Sequence, residues 1–214
     1  MSHQPFKSPL TMRDLLCASL LGTVGGWIDA SSYLRFDTFA GAMTGNSVLL
    51  GLAVAHRSPV EAFYHLIIIG TFLVAIAITR HAIAAGISSR LLLQCAGALI
   101  LGSLVQNGQW SVIALAMAMG CQNAAIRKIG GVAVNTVFVS GDLVRFGESL
   151  PRSVDPHRKR TLVMMGTIWL AYVAGAVFGS LATEMNRITL FLPAGLLMLG
   201  SLVMPTDARN GATS

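Results

Sequence analysis

Six stretches of the chain are almost uninterrupted in apolar residues: 15–30, 62–79, 91–105, 110–126, 161–183 and 188–204. Each is near or above the ~17–25 residues a helix needs to cross a bilayer. A soluble protein has no reason to own six, so the pattern predicts an all-α, polytopic transmembrane helical bundle. Two further segments set polar residues inside apolar surroundings. One is Phe39-Ala40-Gly41-Ala42-Met43-Thr44-Gly45-Asn46-Ser47; the other is Val134-Asn135-Thr136-Val137-Phe138-Val139-Ser140-Gly141-Asp142. Thr44-Gly45-Asn46 and Ser140-Gly141-Asp142 stand 96 residues apart. The expectation is two short polar-lined segments facing each other at the centre of the bundle.

Local signals mark where elements begin and end. Residues 1–10 are polar, with two prolines, and read as a tail. Thr11-Met12-Arg13-Asp14 fits a capping box with Asp in place of Glu, starting a helix that runs to about Leu34. Gly22 and Gly26 bare one face of that helix to a close neighbour. Arg35-Phe36-Asp37 leads into the first motif segment, which ends near Ala55. Ser58-Pro59-Val60-Glu61 predicts a second start, with Ser at the N-cap and Pro in the first turn, and a helix to about Thr79. Residues 80–90 read as a connecting loop, 91–105 as a crossing, and Gln106-Asn107-Gly108-Gln109 as a turn before Trp110, an interfacial anchor.

The second half then repeats the first. Gly120-Cys121-Gln122-Asn123-Ala124 answers Gly26-Trp27-Ile28-Asp29-Ala30, Asp155-Pro156 answers Ser58-Pro59, and Gly166-Thr167 answers Gly70-Thr71. The run 194–203 answers 96–105. The matches keep one order, with offsets between 94 and 98, which marks a duplication inside a single membrane domain, 1–214: repeat one over 11–106, repeat two over 109–204. Because the first apolar run is half of a repeat, it reads as structure and not as a removable signal peptide.

The orientation of the repeats depends on the motif segments. If they span, there are eight helices and the repeats are parallel; if they are broken or re-entrant, there are six full spans, three per repeat, and the repeats are inverted. With six spans one side collects Lys7, Arg13, Arg80, Arg90, Arg127, Lys128, Arg145, Arg152, Arg158, Lys159, Arg160 and Arg209, twelve basic residues, against Arg35, Arg57 and Arg187 on the other. With eight the split is about nine to six. The positive-inside rule therefore selects six spans, with both termini expected in the cytoplasm. Arg145 and Glu148 close to Asp142 agree: a segment with three charges is a poor solo span and suits a re-entrant element or a cavity wall.

Composition sharpens the class. Of 214 residues, 54% are hydrophobic and 11% charged, against about 25% charged in an average soluble domain, and the mean hydropathy is +0.67. The net charge of +6 sits in loops and ends, the pattern of topology signals and anionic-lipid contact and not of nucleic-acid binding. Cys17, Cys95 and Cys121 lie in apolar runs with no CxxC and no nearby His, so they read as small buried hydrophobes; no metal and no cofactor is expected. The chain carries no Walker lysine, HExxH or GxSxG, and enzyme catalysis has little support. The basic run Asp155-Pro156-His157-Arg158-Lys159-Arg160 reads as a cytoplasmic loop touching lipid; His3, His56, His65 and His81 are scattered.

The candidate chemistry is a set of polar groups at depth. Asp29 and Asp142 are ionisable residues in apolar settings, and such residues are functional candidates by default. The competing reading places both at the interface, Asp29 with Arg35 and Asp142 with Arg145. Their counterparts are the amides Asn123 and Asn46, so each repeat supplies one acid and one amide. In inverted repeats these four can converge near the midplane, where half-helix ends add oriented dipoles. Thr44, Ser140, Thr136 and Asn135 complete the set, with helix–helix hydrogen bonding as the bland alternative. Gly41 and Gly45, like Gly175 and Gly179, form GxxxG and read as close-packing sites. Trp27 reads as an interfacial anchor or as a gate beside Asp29.

These motifs carry a resemblance. Residues 26–34, then Phe39 with Met43-Thr44-Gly45-Asn46-Ser47-Val48, then residues 120–125 and Val134-Asn135-Thr136 with Ser140-Gly141-Asp142-Leu143, resemble the YoaK-like family of small bacterial inner-membrane proteins, a domain of unknown function. The second motif of that pattern more usually reads Thr-Gly; here Ser140 keeps the hydroxyl. The resemblance implies a polytopic protein of the bacterial inner membrane, loosely labelled a permease, and implies no substrate. The reading is a transporter or permease for a small polar solute, with the proton as a candidate coupling ion and the lipid bilayer as its partner. A non-transporting scaffold or regulatory protein is the first alternative and a membrane-embedded enzyme the second.

Overall fold

The computed structural model describes residues 10–105, 108–134, 139–149, 156–185 and 190–203. Among them the order is α1 (Met12–Phe36), α2 (Met43–Ala55), α3 (Pro59–Ala84), α4 (Ser89–Val105), α5 (Gln109–Ala125), β1 (Lys128–Ile129), β2 (Val132–Ala133), α6 (Val139–Ser149), α7 (Pro156–Met185) and α8 (Phe191–Val203). Helix α3 and residues 159–183 of α7 are long and apolar enough to cross a membrane. Helix α3 leaves Val60, Phe63, Leu66, Leu73, Val74 and Ile78 more than half exposed, a surface that water would not tolerate at this extent.

Local chemistry sets the ends. The capping box of α1 is present: the Asp14 N–H donates to Thr11 Oγ1 (3.2 Å), and the Thr11 N–H donates back to Asp14 Oδ2 (3.0 Å). The helix stops at Asp37, whose φ of 52° is left-handed and whose N–H bonds the Tyr33 carbonyl. Pro59 opens α3 as expected, but Ser58 makes no side-chain cap; its own N–H bonds the Ala53 carbonyl and closes a tight α2–α3 turn. Residues 80–84 continue α3 and do not begin a loop. The turn between β1 and β2 is Gly130-Gly131, with φ of 54° and 79°, the two positive values that a type I′ hairpin requires.

Packing follows a regular scheme. Helix α1 lies on α7 and α3 lies on α5; α8 joins α1 and α4 joins α5; α4 and α8 pack together. The α1–α7 seam is made by glycines. A Cβ at Gly22 would sit 2.9 Å from the Ile168 carbonyl oxygen and one at Gly179 2.6 Å from that of Trp27; Gly26 and Gly175 lie closer still to the backbones at Tyr172 and Thr23. These contacts ascend together along both helices, so α1 and α7 run parallel. In the α3–α5 seam Gly120 plays the same part, 2.7 Å from the Phe72 carbonyl oxygen and 2.8 Å from Ala75 Cβ.

Contacts at the helix ends fix the remaining directions. Arg13, at the start of α1, bonds the Val203 carbonyl at the end of α8. Gly130, just after α5, lies against Asp14 and Leu10, and Arg160 near the start of α7 donates to the Gly130 carbonyl. One end of the bundle therefore gathers the starts of α1 and α7 and the finishes of α5 and α8. At the other end a small crevice of about 10 Å³ is lined by Arg35, Phe36, Ser103, Leu104, Ser111, Leu115 and Leu190, gathering the finishes of α1 and α4 and the starts of α5 and α8. Helices α1 and α5 run in opposite directions.

The motif segments do not sit where the sequence places them. Helix α2 has 13 residues and α6 has 11; at 1.5 Å per residue these are ~20 Å and ~16 Å, short of the ~30 Å hydrocarbon layer. Helix α2 packs on α3 and α6 on α7, and the two share no substantial contact among the described residues. They rest on different helices, and no substantial contact brings them together at the centre of the bundle among the described residues.

Candidate functional site

The polar groups that converge do so around the break between α1 and α2. After Phe36 the chain leaves the helix at Asp37 and turns back along α1. The Gly41 N–H donates to Asp29 Oδ1 at 2.6 Å and the Ala42 N–H to the same oxygen at 3.2 Å. Asp29 lies about 10 Å before Phe36 along α1, at 1.5 Å per residue, so residues 37–42 re-enter the bundle to that depth and α2 starts there. Non-helical backbone at such depth is tolerated only when protein groups satisfy it; the Asp29 carboxylate does this for two donors. Its other oxygen, Oδ2, accepts from the Tyr172 hydroxyl at 2.6 Å. Tyr172 is midway along α7, and Asp29 is 2% exposed.

Asn46 holds the other side of the same segment. Its Nδ2 donates to the Phe39 carbonyl at 2.7 Å, and its Oδ1 accepts from the Phe39 N–H at 2.9 Å. The side-chain amide thus pairs with a backbone peptide as a neighbouring strand would. The same oxygen accepts from Thr38 Oγ1 at 2.9 Å, and Thr38 Oγ1 lies 3.3 Å from His65 Nδ1 on α3. Asn46 Oδ1 can only accept, so the Thr38 proton is committed to it. The Thr38–His65 contact then requires a proton on His65 Nδ1, an assignment that follows from the network. The Tyr33 and Phe39 rings stack with centroids 4.8 Å apart over this segment.

Of the residues singled out in the sequence, Asp29 and Asn46 are thus joined through residues 38–42. Thr44 is exposed on the first turn of α2, and Asn123 is half-buried on α5. Ser140 and Asp142 belong to α6, but their side chains, like Asn135 and Thr136, lie outside the described residues. Asp29 is not set against Arg35 at an interface; its partners are Gly41, Ala42 and Tyr172. Gly41 and Gly45 do not form a helix–helix seam: Gly41 is the donor to Asp29, and a Cβ at Gly45 would meet the Phe39 ring at 2.8 Å. Gly22, Gly26, Gly175 and Gly179 line the α1–α7 seam. Trp27 is buried against Gly179 and is not an interfacial anchor.

Six polar residues are not marked as partners by the sequence. Tyr172 is an aromatic in an apolar span, and only its hydroxyl distinguishes it. Thr38 and His65 come from different elements, with no spacing to connect them. Gln122, fully buried on α5, donates from Nε2 to the Leu21 carbonyl of α1 at 3.0 Å; its amide beside Asn123 was the signal available. Ser31 Oγ donates to the Gly179 carbonyl at 3.3 Å and accepts from Thr183 Oγ1 at 3.0 Å, adding a hydroxyl pair to the glycine seam. No group of three or more metal-ligating side chains occurs among the described residues.

Comparison with known proteins adds the following. A family described as a protein of unknown function, DUF1275, matches residues 17–203. A stretch of 100 residues, 45% of this chain, is 33% identical to a UPF0700 transmembrane protein of Rhizobium meliloti (strain 1021). That match covers 44% of the relative's length, so the chain corresponds to less than half of it. No solved structure matches.

Proposed function

The chain belongs to the DUF1275 family, whose function is unknown, and from its own residues we propose that it is a carrier for a small polar solute. It is an integral membrane protein: its relative is a transmembrane protein, and its apolar helices expose surface suited to lipid. The observation that carries the further step is Asp29, a buried carboxylate at the middle of the bundle. It binds a re-entrant break on one side and a tyrosine of another helix on the other. Broken helices whose ends meet ionisable groups at mid-depth are how many carriers build a solute site between inverted repeats.

The packing scheme supports inverted repeats. Exchanging α1–α4 with α5–α8 turns α1–α7 into α5–α3, α1–α8 into α5–α4 and α2–α3 into α6–α7, each a pairing that is present. The exchanged first helices α1 and α5 run oppositely, as inversion requires. Helices α1, α3, α4, α5, α7 and α8 are then the six spans, α8 because its 13 residues, no more than those of α2, reach from the crevice at Leu190 to Arg13 at the other end of the bundle, and α2 and α6 are re-entrant. The distribution of basic residues favours both termini in the cytoplasm, and the YoaK-like motifs favour a bacterial inner membrane. Asp29 with Tyr172 is suited to handle a proton alongside the solute.

A second reading has one observation in its favour. The hydrogen bonds described for Asp29 and Asn46 go to this chain's own groups, as in a scaffold whose polar residues only hold the break in place. Reconstitution separates the two. Proteoliposomes carrying the wild type should accumulate members of a small-metabolite library and alter the signal of an internal pH dye. Asp29→Asn should abolish both while keeping its unfolding midpoint near wild type. Equal uptake by wild type and Asp29→Asn would remove Asp29 from the mechanism, and no uptake by either would leave the scaffold reading.

A further inference from the structure

The helix pairings divide the bundle in a way the repeats do not. Helices α1, α6 and α7 form one wing and α2, α3 and α5 the other; α4 and α8 pack together between them, α4 on α5 and α8 on α1. The facing helices of the wings, α1 and α5, meet over only a small patch. The α1–α7 and α3–α5 seams, by contrast, are backbone-close at their glycines. We propose that the two wings rock against each other on α4 and α8, and that the hydrogen bond from Gln122 to the Leu21 carbonyl is the latch of the arrangement seen here.

The polar links across the division support this assignment. Gln122 reaches from α5 into the α1 backbone. The chain itself crosses between the wings at residues 37–42, where Thr38 and Phe39 are tied to Asn46 and His65 of one wing. Gly41 and Ala42 are tied to Asp29 of the other. At the opposite end the chain crosses at the β1–β2 hairpin, which follows α5 and is held to α7 by Arg160 at Gly130. The crossing segments are the α1–α2 break and a hairpin of two-residue strands, so neither is a helix-to-helix contact. Gln122 is a direct helix-to-helix bond, fully buried, where apolar packing would leave no orientational preference. Packed interfaces of this kind switch between discrete arrangements and do not deform continuously.

The inference rests on the packing alone, so absence of solute uptake would leave it untouched. Spin labels at Leu73 on α3 and Val177 on α7, both exposed, report the separation of the wings by pulsed electron paramagnetic resonance. The wild type should give one narrow distance distribution. Gln122→Met, which keeps the volume and removes the donor, should add a second population outside it. Gln122→Asn, one methylene short of Leu21, should do the same and serves if the Met variant does not fold. A folded variant with only the wild-type distribution would overturn the latch.

Discussion

At the residue scale the molecule turns on how buried polar groups are satisfied. Asp29 accepts two backbone N–H groups and a hydroxyl, and removing it strands all three donors. Asp29→Ala should therefore cost about 3 kcal/mol or more, at ~1–3 kcal/mol per buried unpaired group, measured by denaturant unfolding in detergent. Tyr172→Phe removes one donor and leaves the two N–H bonds, and should cost only ~0.6–2 kcal/mol, the usual worth of an interhelical hydrogen bond in a membrane protein. Equal losses for the two variants would show that the break does not depend on the carboxylate. The sequence made Asp29 and Asn46 conspicuous because an acid and an amide interrupt apolar runs. It could not give their partners: Asp29 binds backbone N–H groups, which every residue but proline has, and Tyr172 lies 143 positions away.

At the element scale, glycine position matters more than glycine number. A Cβ at Gly26 would run into the α7 backbone at Tyr172, whereas Gly51 on α2 has open space around it. Gly26→Ala should lower the unfolding temperature sharply, because backbone cannot move aside as a side chain can. Gly51→Ala should raise stability by about 0.5–1 kcal/mol through helix propensity alone. A tolerated Gly26→Ala would contradict the close α1–α7 seam. Most helices were legible from apolar runs and start signals: the capping box at Thr11 and Pro59 in the first turn both hold. Boundaries drifted where charge was taken for a loop. Helix α3 continues through Arg80 and His81, since long basic side chains can stay on a helix and reach the interface. The β1–β2 hairpin was passed over although Gly130-Gly131 between Ile129 and Val132 is a hairpin signal. Placement of α2 and α6 was not legible, because a motif's polarity says what it needs and not which helix supplies it.

At the scale of the whole molecule, antiparallel α1 and α5 and the exchange of equivalent helix pairings support the two inverted halves proposed above. Similar sequences, read alone, fit parallel or inverted repeats, and the count of basic residues on each side, with the charges around Asp142, separates them. The α1–α2 break adds a physical reason. Thr38, one residue beyond the α1 cap, touches His65 in the first third of α3, so α3 must start at the end where α1 stops and α2 has not crossed. The most direct test labels single cysteines, in a background with Cys17, Cys95 and Cys121 replaced, using a membrane-impermeant maleimide on intact cells. Ser58→Cys, in the α2–α3 turn, should react from outside. Lys159→Cys, exposed in the first turn of α7, should react only after the membrane is opened. Reaction of both from the same side would contradict the inverted arrangement and, with it, the shared site between the halves.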